Sequence, residues 1–126
     1  LLAIRPNLNS LDKDLNTKEI ETFQNDVLRP ILKFQNDLLL QMFIDYVKQY
    51  KGVFFKLSNH EKMSYIQEAL SANQRLRSLI LGTIVGLFTL EDYSYYRLNL
   101  SELNKRIVAL VIKRLQSQLE FLSNKI

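Results

Sequence analysis

The sequence of 126 residues contains no cysteine, only three glycines and two prolines, and a single histidine. Without cysteine, the chain can form no disulfide framework, no thiolate metal site and no thiol nucleophile. The scarcity of glycine and proline argues against a β-sheet protein, because strands joined by tight turns need these residues. The composition therefore predicts an all-α protein of a reducing compartment, which we expect to be the cytoplasm.

No part of the sequence is expected to span a membrane. The most apolar stretch, residues 76–90, contains Arg77 and two glycines and is too short to cross a hydrocarbon core. Residues 1–7 lack the apolar run of a secretory signal. With 47% hydrophobic and 24% charged residues, the composition is typical of one globular domain with one core.

Apolar residues recur at helical spacing after residue 15, whereas residues 1–15 show no clear period. We therefore expect an irregular N-terminal arm over residues 1–15 and a single helical-bundle domain over residues 16–126. Short connections favour an up-and-down antiparallel bundle of four main helices plus a short fifth helix. The expected N-cap residues, chosen for their side-chain oxygens, are Asn16, Ser58, Ser71, Thr89 and Asn99.

Residues 31–50 are expected to form the central helix. Pro30 should kink or break the chain just before it, and Gly52 should supply the left-handed residue that ends it. Two adjoining apolar stripes give this helix a wide buried face. One stripe is Ile31, Leu38, Met42 and Tyr46, and the other is Leu32, Leu39, Phe43, Val47 and Tyr50.

Three amide side chains fall on or beside apolar stripes. Gln24 and Gln35 occur in a repeated Phe-Gln-Asn-Asp tetrad, and Asn104 lies next to inward positions of the last helix. Buried amides must be hydrogen-bonded, so these residues form a candidate polar network that fixes helix register. The alternative is a small-ligand site in the bundle core. We expect Gln35 in particular to be mostly buried and bonded to another helix.

The positive excess behind the net charge of +4 lies entirely in residues 51–126, which carry eleven Lys/Arg against six Asp/Glu. Lys105, Arg106, Lys113 and Arg114 are two helical turns apart as pairs, so they share one flank of the last helix. Such a flank can follow a phosphate backbone. An ordinary solvated helix face, partly neutralised by Glu102, is the favoured alternative.

Two smaller motifs have both structural and functional interpretations. Tyr93, Tyr95 and Tyr96 are able to stack on bases, although tyrosines in a short helix more often close the rim of a core. Gly82 and Gly86 have the spacing of a helix-packing motif, so we expect a neighbouring helix to approach closely there.

The sequence resembles an uncharacterised family of small all-helical bacterial proteins. The resemblance lies in residues 28–37, 103–106 and 114–118 and extends over most of the chain. Some members of that family carry the label glyoxalase. The residues disfavour this activity here, because a metal-dependent glyoxalase needs several His and Glu ligands, and His60 is the single histidine. We expect no metal, no cofactor and no catalytic residue.

These observations favour a non-enzymatic module that acts by protein association, first of all with itself. The motivating feature is the apolar run of residues 38–40 and 42–44, which exceeds what one narrow bundle seam uses. The alternative is nucleic-acid or anion binding through the basic flank of the last helix.

Overall fold

The computed structural model of this chain describes residues 16–124. All regular structure in this range is helical, which confirms the all-α prediction. The predicted N-terminal arm, residues 1–15, lies outside the described residues, as do residues 125 and 126. None of the helices in the described range is long and apolar enough to cross a membrane.

The first helix, α1, covers residues 16–34, of which Gln24–Leu28 are π-helical and Arg29–Phe34 return to α-helical geometry. After it come α2 (Asn36–Gln49), a 3₁₀ turn (Val53–Lys56), α3 (Asn59–Ala72), α4 (Gln74–Val85), α5 (Leu90–Leu98), α6 (Leu100–Ser117) and α7 (Leu119–Ser123). Residues 16–124 thus contain seven helices where the sequence predicted five.

Pro30 distorts α1 without ending it. A proline has no N–H to donate to the carbonyl four residues before it, and its ring clashes with that carbonyl. The π-helical turn Gln24–Leu28, in which the Arg29 N–H donates to the Gln24 carbonyl, lies directly before the proline. The break occurs later, at Gln35, whose backbone leaves helical geometry at φ −91° and ψ 8°.

Two predicted N-caps and one predicted helix end are confirmed. The Ser58 hydroxyl accepts a hydrogen bond from the Glu61 N–H at 3.3 Å, and the Thr89 hydroxyl accepts one from the Asp92 N–H at 3.0 Å. Both are complete capping boxes, since each acidic side chain also accepts from the backbone of the cap residue. The helix ends before Gly52, which adopts φ +65° as expected, but Lys51 is already left-handed at φ +64°, so the glycine is not the first left-handed residue after α2.

The other predicted caps are corrected by the structure. Ser71 lies inside α3, and Asn73 caps α4 in its place by accepting from the Leu76 N–H at 3.0 Å. Asn99 precedes α6 as predicted, but its side-chain amide donates to the Tyr95 carbonyl instead of capping the helix. Asn16 is itself helical, so the predicted start at Thr17 is at least one residue too late.

Of the two apolar stripes of the central helix, the second belongs to the core except for its last member, Tyr50, which is 51% exposed. Leu32, Leu39, Phe43 and Val47 are almost fully buried. On the first stripe Ile31, Met42 and Tyr46 are only partly buried, and Leu38 is 48% exposed. Both stripes have a helical period, so the pattern alone did not distinguish the buried stripe from the bordering one.

Polar contacts show that α1 and α6 are parallel neighbours. Gln24 contacts Arg106 near the middle of both helices. Asn36, twelve residues after Gln24, contacts Gln118, twelve residues after Arg106, so both segments run in the same direction. An up-and-down bundle of antiparallel neighbours does not predict this pair, so the four-helix arrangement is not confirmed. α3, α4 and α6 contact one another pairwise, and together with α2 they supply most of the buried core residues.

The short helix α7 packs against α3 through an unusual buried lysine. Lys62 is 6% exposed; its Nζ donates to the Ser123 hydroxyl at 2.9 Å and lies 5.5 Å from the centre of the Phe54 ring. Among residues 16–124 it is the single buried charged side chain. The aromatic ring and the hydroxyl therefore replace part of the hydration that the ammonium loses.

We expect Gly82→Ala to stabilise the protein, because Gly82 is an exposed helical residue and an added Cβ would meet no atom within 4 Å. The predicted close approach of another helix is absent at this position. Alanine should raise the free energy of unfolding by about 0.5–1 kcal/mol in urea melts. Gly86→Ala is the matched control and should gain less, since its Cβ would lie 3.0 Å from the Gly82 carbonyl oxygen. Equal gains would contradict this explanation.

Candidate anion-binding groove

An open groove of about 1050 Å³ lies along α6 and is bordered by residues of α1, α3 and α4. Six cationic side chains line it, and no aspartate or glutamate is among its lining residues within the described part of the chain. The cations are Arg29, Arg77, Lys105, Arg106, Lys113 and Arg114. The groove is therefore a region of concentrated positive charge.

All four residues of the predicted basic flank belong to this groove. Lys105 and Lys113 are exposed, and their eight-residue separation corresponds to about 12 Å along the helix axis. Ala109, midway between them, is exposed and short, so the space between the two lysines stays open. The predicted pairing on one flank is thus present in the structure.

Arg29 and Arg77 also line the groove, and the sequence did not indicate them. Arg29 lies in α1 next to Pro30, and Arg77 lies in the first turn of α4. Neither has a local motif that points to a site. They reach the groove only because α1 and α4 border α6, which is a tertiary contact that helical periodicity does not specify.

The arginines of the groove are oriented largely by neutral amides. Arg106 donates to Gln24 at 3.0 Å and to Glu102 at 3.1 Å. Arg114 donates to Asn36 at 3.2 Å, and Arg29 donates to Asn25 at 3.0 Å. Within residues 16–124, Arg106–Glu102 is the one ion pair. Because an amide oxygen accepts a hydrogen bond without cancelling charge, most of the positive charge of the groove remains available.

The three amides of the predicted polar network are not joined by hydrogen bonds. Gln24 is half-buried at the edge of the groove and accepts from Arg106. Asn104 is half-buried and accepts from the Tyr96 hydroxyl. Gln35 is half-buried rather than mostly buried, and it donates to the Thr83 carbonyl at 3.2 Å. Each amide connects its helix to a different neighbour, and Gln24 alone lines the groove.

The tyrosines of α5 do not line the groove. Tyr96 is 8% exposed, and burial raises the pKa of its hydroxyl. Tyr95 packs its ring 4.9 Å from that of Phe23, and its buried hydroxyl has no hydrogen-bond partner among residues 16–124. Tyr93 is 45% exposed and is not among the residues that line the groove. These positions fit the structural interpretation, in which the tyrosines close the rim of the core.

We expect Gln35→Leu to lower the free energy of unfolding by about 1 kcal/mol. The Thr83 carbonyl lies in the last turn of α4, and the N–H groups of residues 86–88 bond to other carbonyls, so Gln35 is its donor. A backbone carbonyl cannot be made apolar, so leucine would leave it unpaired. Urea melts test this, with Gln41→Leu as control, because Gln41 is exposed and bonds within its own helix. Identical melts for Gln35→Leu and the parent would refute the role assigned to this bond.

No group of three metal-ligating side chains occurs within the described residues, and His60 is exposed in the first turn of α3. Comparison with protein families, with curated proteins and with solved structures finds no match to this chain. The resemblance to small helical bacterial proteins and the glyoxalase label therefore remain predictions from the sequence, and the groove has to be interpreted from its own chemistry.

Proposed function

We propose that this protein acts in the cytoplasm by binding the phosphate backbone of a nucleic acid in the groove along α6. The observation that supports this most directly is the gathering of six lysines and arginines in one open groove whose lining, among the described residues, includes no carboxylate. Neutralising phosphates with such side chains releases condensed counterions, which favours association. The basic flank thereby becomes the leading functional feature, ahead of self-association.

The length of the groove favours a polymer over a single small anion. Lys105 and Lys113 are about 12 Å apart along α6, so the cations are spread over more than two helical turns instead of surrounding one point. Arg106 and Arg114 repeat the same separation one position further along, and each is held in place by an amide. Two such clusters, with Arg29 and Arg77 at the sides, match a chain of regularly spaced negative charges.

The apolar part of the groove favours a duplex over a single strand. Among the residues that the structure describes, its apolar lining is aliphatic, with Leu32, Val108, Leu110 and Ile112, and includes no aromatic ring. Proteins that hold single strands commonly stack bases on aromatic side chains. Lysines and arginines without such rings contact phosphates, and these contacts carry no sequence information. We therefore expect binding that depends little on base sequence.

We expect Lys105→Gln/Lys113→Gln to weaken binding to a fluorescently labelled DNA duplex and to make it less dependent on salt. Each lost phosphate contact should reduce the slope of log affinity against log salt by about one. Both lysines are exposed, so the fold should be unaffected. Fluorescence anisotropy from low to physiological salt measures both quantities.

The matched control is Lys48→Gln/Lys56→Gln, which removes the same charge from exposed positions outside the groove. Its affinity and salt slope should stay close to those of the parent. If both double variants lose affinity equally, overall charge rather than the groove accounts for binding. If the parent binds neither duplex nor single strands at low salt, the proposed function is wrong.

Self-association is the second candidate, but side chains other than those that motivated it would have to form the interface. Of the run that motivated it, Leu39, Leu40, Phe43 and Ile44 are buried in the core of this same chain, so they cannot form an interface. The large apolar side chains that remain exposed beside the α2–α4 contact are Phe34 at 77%, Leu38 at 48%, Leu79 at 55% and Leu87 at 44%.

Contacts of Thr83 indicate that two of these side chains, Leu38 and Leu79, lie near the same place. Gln35 donates to the Thr83 carbonyl, and the Thr83 hydroxyl lies 3.6 Å from the Met42 sulfur. Leu38 belongs to α2 and lies in the sequence between Gln35, which precedes this helix, and Met42. Leu79 is one turn before Thr83 on α4. Such a group of exposed apolar side chains is typical of a protein contact.

If this surface joins two copies, Leu38→Lys/Leu79→Lys should make the protein monomeric at concentrations where the parent associates. If the variant associated through this surface, each copy would bury two ammonium groups in an apolar interface, which is strongly unfavourable. Sedimentation equilibrium over a range of concentrations measures the association. Leu90→Lys is the control, since Leu90 is 88% exposed in α5. A parent protein that stays monomeric throughout removes this candidate.

A further inference from the structure

A second, smaller groove of about 550 Å³ lies between the end of α2 and α3. Its polar and aromatic lining consists of Tyr46, Tyr50, Tyr65, Glu68 and Asn73. No lysine, arginine or histidine is among the lining residues in the described part of the chain. The charge character of this groove is therefore opposite to that of the groove along α6.

The three tyrosine rings lie close together. The centres of the Tyr46 and Tyr50 rings are 4.8 Å apart, and those of the Tyr46 and Tyr65 rings are 6.5 Å apart. Tyr46 and Tyr65 are half-buried and pack against the buried Phe43, whereas Tyr50 is 51% exposed. Two rings are thus fixed by the core, and the third is accessible at the surface.

The hydroxyls of this cluster are held near Asn73, the cap residue of α4. The Asn73 side-chain amide donates to the Tyr50 hydroxyl at 3.3 Å. Burial raises the pKa of the Tyr46 and Tyr65 hydroxyls, and the neighbouring tyrosines raise it further. The Tyr46 and Tyr65 rings are accordingly neutral at physiological pH, and the exposed Glu68 is the one acidic residue among the described lining residues.

We infer that this groove binds an organic cation that carries a quaternary ammonium group. The face of a neutral aromatic ring carries partial negative charge and attracts cations. A quaternary ammonium group has no N–H to donate, so it can bind through this attraction without a hydrogen-bond acceptor. Glu68 adds the opposite charge at the same place. Ala69, Ala72 and the half-exposed Val53 complete the lining, so its apolar part consists of small side chains.

The lining fits other ligand classes less well. A divalent metal ion needs several oxygen ligands, and the groove offers one carboxylate. An anion would face both Glu68 and the electronegative ring faces. A neutral apolar ligand could pack on the same rings. The decisive test therefore compares the affinities of a charged and a neutral ligand of the same shape.

Choline and 3,3-dimethyl-1-butanol provide that comparison, because the alcohol has the same shape with carbon in place of the charged nitrogen. Two-dimensional NMR of the ¹⁵N-labelled protein should show saturable shifts of the Ala69, Ala72 and Asn73 amide signals with choline. The neutral analogue should bind at least about fivefold more weakly. Equal affinities, or no saturable shift with choline, would overturn the inference.

Variants of the lining separate the contribution of charge from that of the ring. Glu68→Gln should weaken choline severalfold and leave the neutral analogue unchanged. Tyr50→Phe and Tyr50→Leu both lose the hydroxyl that contacts Asn73, but only the first keeps the aromatic face. Choline affinity should therefore survive in Tyr50→Phe and fall in Tyr50→Leu. Equal affinities in these two variants would contradict binding through the rings, and none of these results depends on the proposed nucleic-acid groove.

Discussion

Reciprocal hydrogen bonds between Asn36 and Gln118, of 2.9 and 2.7 Å, hold the start of α2 against the end of α6. The same Asn36 oxygen accepts from Arg114, and Gln24 accepts from Arg106 further back along the same pair of helices. Half-buried amides are costly unless they are bonded, so these contacts fix the parallel register of α1 and α6. The basic groove depends on that register, because it brings Arg29 of α1 to the cations of α6.

Features set by neighbouring residues could be predicted from the sequence. Helix content, the N-caps Ser58 and Thr89, and the common flank of Lys105 and Lys113 all follow from spacing within a few helical turns. Where two nearby residues are equally suited to one role, the sequence did not indicate which of them the structure would use. Ser71 and Asn73 are both good cap residues two positions apart, and the packing of α3 against α4 decided for Asn73.

Features set by contacts between distant segments escaped the sequence. Leu38 and Leu39 occupy neighbouring stripes of similar hydrophobicity, and only the tertiary packing shows that Leu39 is buried and Leu38 is 48% exposed. The same holds for Arg29 and Arg77, which have no local signal and become part of the groove through α1 and α4. The helix break has a similar origin. A π-helical turn accommodates Pro30, so the helix continues past it. The chain turns at Gln35 instead, and the Gln35 side chain donates to a backbone carbonyl of α4.

The separation of the two grooves follows from the helical period of α3. Its buried residues Ile66 and Leu70 face the core, Gln67 and Ser71 line the basic groove, and Glu68 lines the tyrosine groove. One position along a helix rotates a side chain by about 100°. A carboxylate at position 67 would therefore lie among the cations of α6 and neutralise part of their charge, whereas at position 68 it lies beside the rings. The order of two adjacent residues, a neutral amide and then a carboxylate, thus keeps one groove cationic and gives the other the one carboxylate of its described lining.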